Sequence, residues 1–222
     1  MDDVGLHSAE LLVTTTPVPP QRFRGLLQHQ NAILSLPPKA DLVLVGDSLI
    51  RNWPESLWNG WPGNVVNLGA VGDRVQNVLW RITQPEISDL HPRAVILLAG
   101  TNNLRLDRPR AIVLGLELII KTLTSLWPTA ELHAIEIPPR GLRYSEARSE
   151  RMEVNTSLRS MRETGALSST MNIDLTITDN RTYPSPNYQK DNLHFTALGY
   201  SKIMPIVRRR LEPTYRALTP LK

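Results

Sequence analysis

The chain contains no cysteine. That excludes disulfides, thiolate zinc sites, iron–sulfur clusters and a cysteine nucleophile. Histidine is scarce, with five residues, His7, His29, His91, His133 and His194, so chemistry that needs imidazole must choose among these. Aromatic residues make up 5% of the chain, too few to suggest a stacking surface for nucleic acid. Neither sign of charge dominates: 25 Lys and Arg against 21 Asp and Glu leave +4, spread along the chain, and no nucleic-acid partner is expected. No apolar run is long enough to span a bilayer, so no integral membrane segment is expected. The start, with Asp2 and Asp3, lacks the basic and apolar regions of a signal peptide, and the expected compartment is the cytoplasm.

What is present is ordinary for a globular protein: 222 residues, 41% hydrophobic and 21% charged, enough for one domain with a full core. Pro17, Pro19 and Pro20 mark an irregular lead-in. Residues 21–36 carry Phe23, Leu26, Leu27, Ile33 and Leu34 at helical spacing, and Pro37 and Pro38 end that helix. Short apolar runs then alternate with helical patterns. Leu42 to Val45, Val65 to Leu68, Ala94 to Ala99, Leu132 to Ile137 and, more weakly, Ile173 to Ile177 read as strands. Val75 to Ile82, Pro109 to Leu126 and residues 145–163 read as helices, the last exposed, with Met152, Leu158 and Met161 as its apolar positions. Residues 178–192 read as a loop, and Thr196 caps a final helix that Pro205 should kink. This alternation predicts an α/β fold with a mainly parallel sheet, whose chemistry belongs outside the strand C-termini.

The residues that follow the strands are chemically suggestive. The first strand ends in Gly46-Asp47-Ser48-Leu49, which places a serine at the opening of a helix. The second is followed by Asn67-Leu68-Gly69-Ala70-Val71-Gly72-Asp73, whose glycine N–H groups can approach a reacting oxygen closely. The third is followed by Gly100-Thr101-Asn102-Asn103, where an asparagine amide can donate without titrating. Asp191-Asn192-Leu193-His194 supplies an imidazole base and a carboxylate to orient it. Taken alone, each of the first three strings also reads as a turn or helix cap, and the Asp191/His194 pair as a structural one. Together they hold a nucleophile, oxyanion donors, a base and an orienting acid, a complete set for acyl transfer. No metal or cofactor is implied, since no second histidine or carboxylate set completes a site and the Gly69/Gly72 spacing is not a dinucleotide fingerprint.

In order and spacing, the four blocks GDSL (46–49), NLGAVGD (67–73), GTNN (100–103) and DNLHFTALGY (191–200) resemble those of the SGNH hydrolases, also called the GDSL esterase/lipase family. The GTNN and VLWRI strings are similar to its platelet-activating-factor acetylhydrolase-like branch. The resemblance implies a three-layer α/β/α sandwich with five parallel strands in the flavodoxin-like order 2-1-3-4-5. It implies a hydrolase domain over residues 41–222, preceded by an extension and helix at 1–40 packed on it. It implies Ser48 as nucleophile, His194 as base, Asp191 as its orienting acid, and an oxyanion hole of the Ser48 and Gly72 N–H groups with the Asn102 side chain. Asn155 falls where relatives carry a structural asparagine, and packing is its expected role.

The expected activity is a serine ester hydrolase acting on a small-molecule ester of an alcohol, lipid or sugar. An acyltransferase at the same site and an inactive binding protein are the alternatives. Leu49 and Leu193 flank the nucleophile and the base; they either line the acyl pocket, which would favour short chains, or point into the core. Residues 140–144 and the 178–190 loop, with Tyr183 and Tyr188, are candidate walls of the cleft. Trp53, Trp58 and Trp61 serve either the core or the interface of a homo-oligomer.

Overall fold

Two strands, β1 (Leu42–Gly46) and β3 (Ala94–Leu98), are buried at every position. A strand apolar on both sides needs a covering layer on each, and that requirement sets the architecture. The structure, a computed structural model, describes residues 3–216, with side chains from residue 9 to residue 215. In chain order its elements are α1 (Asp3–Thr15), α2 (Phe23–Leu34), β1, α3 (Ser48–Arg51), β2 (Val65–Asn67), α4 (Val75–Ile82), β3, α5 (Pro109–Leu126), β4 (Glu131–Ile135), α6 (Arg148–Glu163), β5 (Ser169–Met171), α7 (Asp174–Ile177) and α8 (Ala197–Arg216).

The five strands are parallel, in the order β2-β1-β3-β4-β5. Alternation along each strand divides the core between the two faces. Val43, Val45, Val95 and Leu97 pack with Val78 of α4, Ile112 and Ile119 of α5 and Leu158 of α6. Leu42, Leu44, Ile96 and Leu98 pack with Ile50 of α3 and with Ile203, Val207 and Leu211 of α8. The result is a three-layer α/β/α sandwich. Because β2 and β3 flank β1 on opposite sides, the chain order reverses there, and a crevice opens outside the carboxyl ends of β1 and β3.

Several expectations fail for identifiable reasons. The fifth strand is not Ile173 to Ile177. It is Ser169–Met171, where His133 pairs with Ser169 and Ile135 with Met171. Ile173 and Ile177 are buried four residues apart, the spacing that keeps two side chains on one side of the helical turn α7. The apolar stripe of α2 is only partly a core face: Phe23 is 78% exposed and Leu34 86%, while Ile33 packs against the core and Gly25 and His29 are the buried residues. On α6 Met152 faces outward, and Arg151, Val154, Asn155, Leu158 and Met161 form the buried face. The helix α1, which no motif announced, packs on α5 and α4. Trp53 and Trp58 are buried in the core. The last helix continues through both Pro205 and Pro213, with Thr196 Oγ1 accepting from Gly199 N at its start.

Asn155 does more than fill space. Its Oδ1 accepts from Ile137 N at 2.8 Å and its Nδ2 donates to Ile137 O at 2.9 Å, as a neighbouring strand would. This clamps the chain just beyond β4, where the next parallel strand has ended. Asn155→Ala leaves a buried N–H without an acceptor, and urea unfolding should show a loss of about 1–3 kcal/mol.

Candidate active site

The crevice at the end of β1 is built around one buried serine. The Asp47 carboxylate accepts from Leu49 N at 2.9 Å and caps α3, which fixes Ser48 as the first residue of that helical turn. Ser48 is 2% exposed. Its Oγ lies 2.9 Å from His194 Nε2, across 146 residues of chain. On the far side of the ring, His194 Nδ1 lies 2.7 Å from Asp191 Oδ2. A carboxylate only accepts, so Nδ1 carries the proton and the Nε2 lone pair of the neutral ring faces the serine hydroxyl.

The His194 loop is held at both ends. Tyr188 and Phe195 form an antiparallel bridge, and Gln189 N donates to His194 O. Between them Asp191 Oδ1 accepts from Leu193 N and His194 N, both at 3.0 Å. Burial pushes the Asp191 carboxyl up. The bonds from the His194 ring and these two N–H groups outweigh that and hold it below the usual carboxylate range. Asn192, in the left-handed region at φ 52°, accepts from Gly141 N through its carbonyl. Tyr200 OH donates to Leu49 O, which ties α8 to the turn carrying Ser48.

The structure separates the paired candidates of the two middle strings. Gly69 N donates to Asn67 Oδ1, whereas Gly72 N has no acceptor among the described residues. Gly72 sits at φ +80°, a conformation glycine adopts freely. Asn103 is fully engaged: Oδ1 accepts from Val75 N, and Nδ2 donates to Gln76 and Asp107. Asn102 donates one amide hydrogen to Asp73 O at 2.8 Å and keeps the other. Gly72 and Asn102 both line a cavity of about 350 Å³, and the Ser48 N–H is likewise without an acceptor among the described residues.

That cavity contains a residue the sequence did not single out. Arg22 lies over Gly72, its Nη1 3.6 Å from where a β-carbon on Gly72 would stand. The lead-in is fixed by Val18 N donating to Gln76 O and by Asn77 Nδ2 donating to Val18 O. No local signal marks Arg22, because its position depends on contacts with a helix more than fifty residues away. Leu49 is wholly buried in the core and does not line the cavity; Leu193 is partly buried. Tyr188 is also packed, its hydroxyl bonded to Pro139 O, so it is not a cleft wall, and Arg143, Tyr144, Arg181 and Tyr183 line a different cleft from the one beside Gly72 and Asn102.

The remaining histidines stand apart from Ser48. His29 packs edge-on to Trp80, His91 lies exposed before β3, and His133 is buried in β4 against Ser169 Oγ. The side chain of His7 lies outside the described residues.

Residues 44–202 match the family model of GDSL-like lipases and acylhydrolases. The chain is 28% identical over 189 residues to human platelet-activating factor acetylhydrolase IB subunit alpha2, covering 81% of this chain and 80% of that protein. Among solved structures it is similar to a GDSL-like lipase from Bacteroides thetaiotaomicron, with a TM-score of 0.69, 15% identity and coverage of 89% and 100%. It is also similar to the lipase/acylhydrolase from Enterococcus faecalis, with a TM-score of 0.64, 22% identity and coverage of 82% and 98%.

The Asp47 carboxyl beside Ser48 has a consequence for stability. Burial raises it to about 7, against the Leu49 N–H, which favours the charged form. The folded state therefore holds this proton more tightly than the unfolded chain. The resulting stability is complete below about pH 4 and is lost as pH rises towards 7. Asp47→Asn stays neutral throughout. Its stability relative to the natural protein should improve by on the order of 4 kcal/mol between pH 4 and pH 8, read from urea midpoints.

Proposed function

The chain belongs to the GDSL-like lipase/acylhydrolase family and is a carboxylic ester hydrolase, and from that premise we propose that it cleaves short-chain esters through Ser48, His194 and Asp191. The observation that carries the reading is the unbroken hydrogen-bonded chain from Ser48 Oγ through the His194 ring to Asp191. Ser48 Oγ attacks the ester carbonyl carbon as His194 Nε2 takes its proton. Asp191 holds the ring in the required tautomer and stabilises the imidazolium. The carbonyl oxygen, now an oxyanion, takes hydrogen bonds from the Ser48 N–H, the Gly72 N–H and the second amide hydrogen of Asn102. Collapse expels the alcohol, protonated by His194. A water molecule, deprotonated by the same nitrogen, then releases the acid from Ser48.

The preference for short acyl groups rests on the cavity beside Gly72 and Asn102. Arg22, Gln21, Arg74 and Asn77 give it a polar wall, with Pro20, Val71 and Leu106 the apolar part. A long aliphatic chain laid there would strip water from polar groups without replacing their hydrogen bonds, which offsets the gain from burying methylenes.

Ser48→Ala should abolish hydrolysis of p-nitrophenyl acetate, and retention of full activity would overturn the assignment. Asn102→Ala should lower kcat by about 10²–10³-fold with little change in KM. Across p-nitrophenyl esters from acetate to octanoate, kcat/KM should fall with chain length.

A further inference from the structure

A second and larger cleft, of about 780 Å³, opens at the carboxyl ends of β4 and β5. The loop that leads from β4 to α6 forms one wall and the segment after α7 the other. Five arginines line it, Arg143, Arg148, Arg151, Arg159 and Arg181, against two carboxylates, Glu136 and Asp174. Both carboxylates are already engaged. Glu136 Oε2 accepts from Arg159 and Asn172 at 2.8 Å, and Asp174 takes a two-oxygen contact from Arg151 at 2.9 and 3.0 Å. The guanidinium groups of Arg143, Arg148 and Arg181 have no partner among the described residues. Arg151 has a side chain only 7% exposed, yet its Nε has no acceptor.

The backbone positions these charges at a cost. Arg143 and Tyr144 on one wall, and Asp179, Asn180 and Arg181 on the other, all have positive φ, between 49° and 69°. Non-glycine residues rarely hold that conformation, and such strain persists only where surrounding contacts enforce it. Here Tyr144 enforces it: its hydroxyl donates to Thr182 O at 2.7 Å and accepts from Ser185 N at 3.0 Å, which pins the two walls together. Asn155, Asn172 and Thr178 add polar groups, and part of the lining is apolar and open. Met152, Leu175 and Tyr183 are exposed, and Tyr183 meets Tyr144 edge-on at 5.4 Å.

We propose that this cleft binds an organic phosphate, a phosphate-type anion carried on an apolar body. Unpaired guanidinium groups brought from both walls can surround a tetrahedral anion. A carboxylate, with two oxygens, is satisfied by a single fork. The volume far exceeds that of the anion alone, and Met152, Leu175 and Tyr183 offer a surface for its remainder. The inference stands on this cleft and does not depend on which residues hydrolyse the ester.

The test is calorimetric titration of the full chain, at fixed ionic strength, with inorganic phosphate and with phenyl phosphate. Saturable binding is expected, with a dissociation constant on the order of 1 mM for inorganic phosphate and several-fold tighter for phenyl phosphate. Sulfate should displace phenyl phosphate, and chloride should not. Arg143→Ala/Arg181→Ala should weaken binding at least tenfold while leaving hydrolysis of neutral p-nitrophenyl acetate unchanged. No saturable binding, equal displacement by chloride, or unaltered binding in the double variant would each overturn the proposal; the first two need no variant to fold. Sedimentation with phosphatidylcholine vesicles, with and without phosphatidic acid, distinguishes the source of the phosphate. Retention only with phosphatidic acid, lost in the double variant, assigns a lipid headgroup; binding in solution without retention assigns a soluble ligand.

Discussion

At Gly46, where β1 ends, a β-carbon would overlap the carbonyl oxygen of Leu98 on β3. Everything at the crevice depends on that close approach. The two central strands converge there, and Asp47 N donates to Leu98 O as the chain turns away. A side chain at this position would push β1 from β3 and move the start of α3 with it. Ser48 would then leave the position 2.9 Å from His194 Nε2. A hydrogen bond tolerates only a few tenths of an ångström of displacement before it weakens, so a missing side chain in the sheet governs the geometry of the chemistry.

Around that point the turns are stapled to one another as well as to the sheet. Asp73 and Arg81, both 1% exposed, form a buried ion pair at 2.6 Å beneath the Gly72 turn. Burial raises the Asp73 carboxyl to about 6, with Arg81 pulling it back. Removing one member of such a pair leaves a buried charge uncompensated, so the pair acts as a unit. Asn103 joins the Gly100 turn to the start of α4, and Arg140 donates to Thr101 O from the opposite side. Most donors in these turns are spent on the scaffold. The Ser48 and Gly72 N–H groups and one hydrogen of the Asn102 amide have no acceptor among the described residues and are the donors proposed for the oxyanion. Rigid donors aimed where charge will develop need no reorganisation during reaction.

The sequence was legible where one local rule sufficed. All-apolar runs at 42–45 and 94–98 could only be strands covered on both faces, and they are. Pro37 and Pro38 marked the end of α2, and Gly46 the end of β1. The rules failed where two patterns compete. Ile173 to Ile177 is rich in β-branched residues yet forms a helical turn, since burial of positions 173 and 177 together outweighs strand propensity. The α2 stripe has helical period, but Phe23 and Leu34 are exposed, and the helix meets the rest of the protein through Gly25, His29, Ala32 and Ile33. Periodicity gives the element and not the face that is covered. Leu49 shows the same limit: adjacency to Ser48 in sequence sends its side chain to the opposite side, into the core.

By itself, then, the sequence determined the parallel α/β class, the first four strands and the residues that follow the first three of them. Alternation and the directionality of parallel crossovers leave little choice in these. Tertiary structure alone decided the distances, which of two adjacent asparagines keeps a free amide hydrogen, and that Arg22 reaches over Gly72. It also gathered Arg143, Arg148 and Arg181 into one cleft. Each of these depends on segments far apart in the chain meeting at a contact only a few ångströms across. No local preference encodes that meeting, because it is fixed by how the whole core packs.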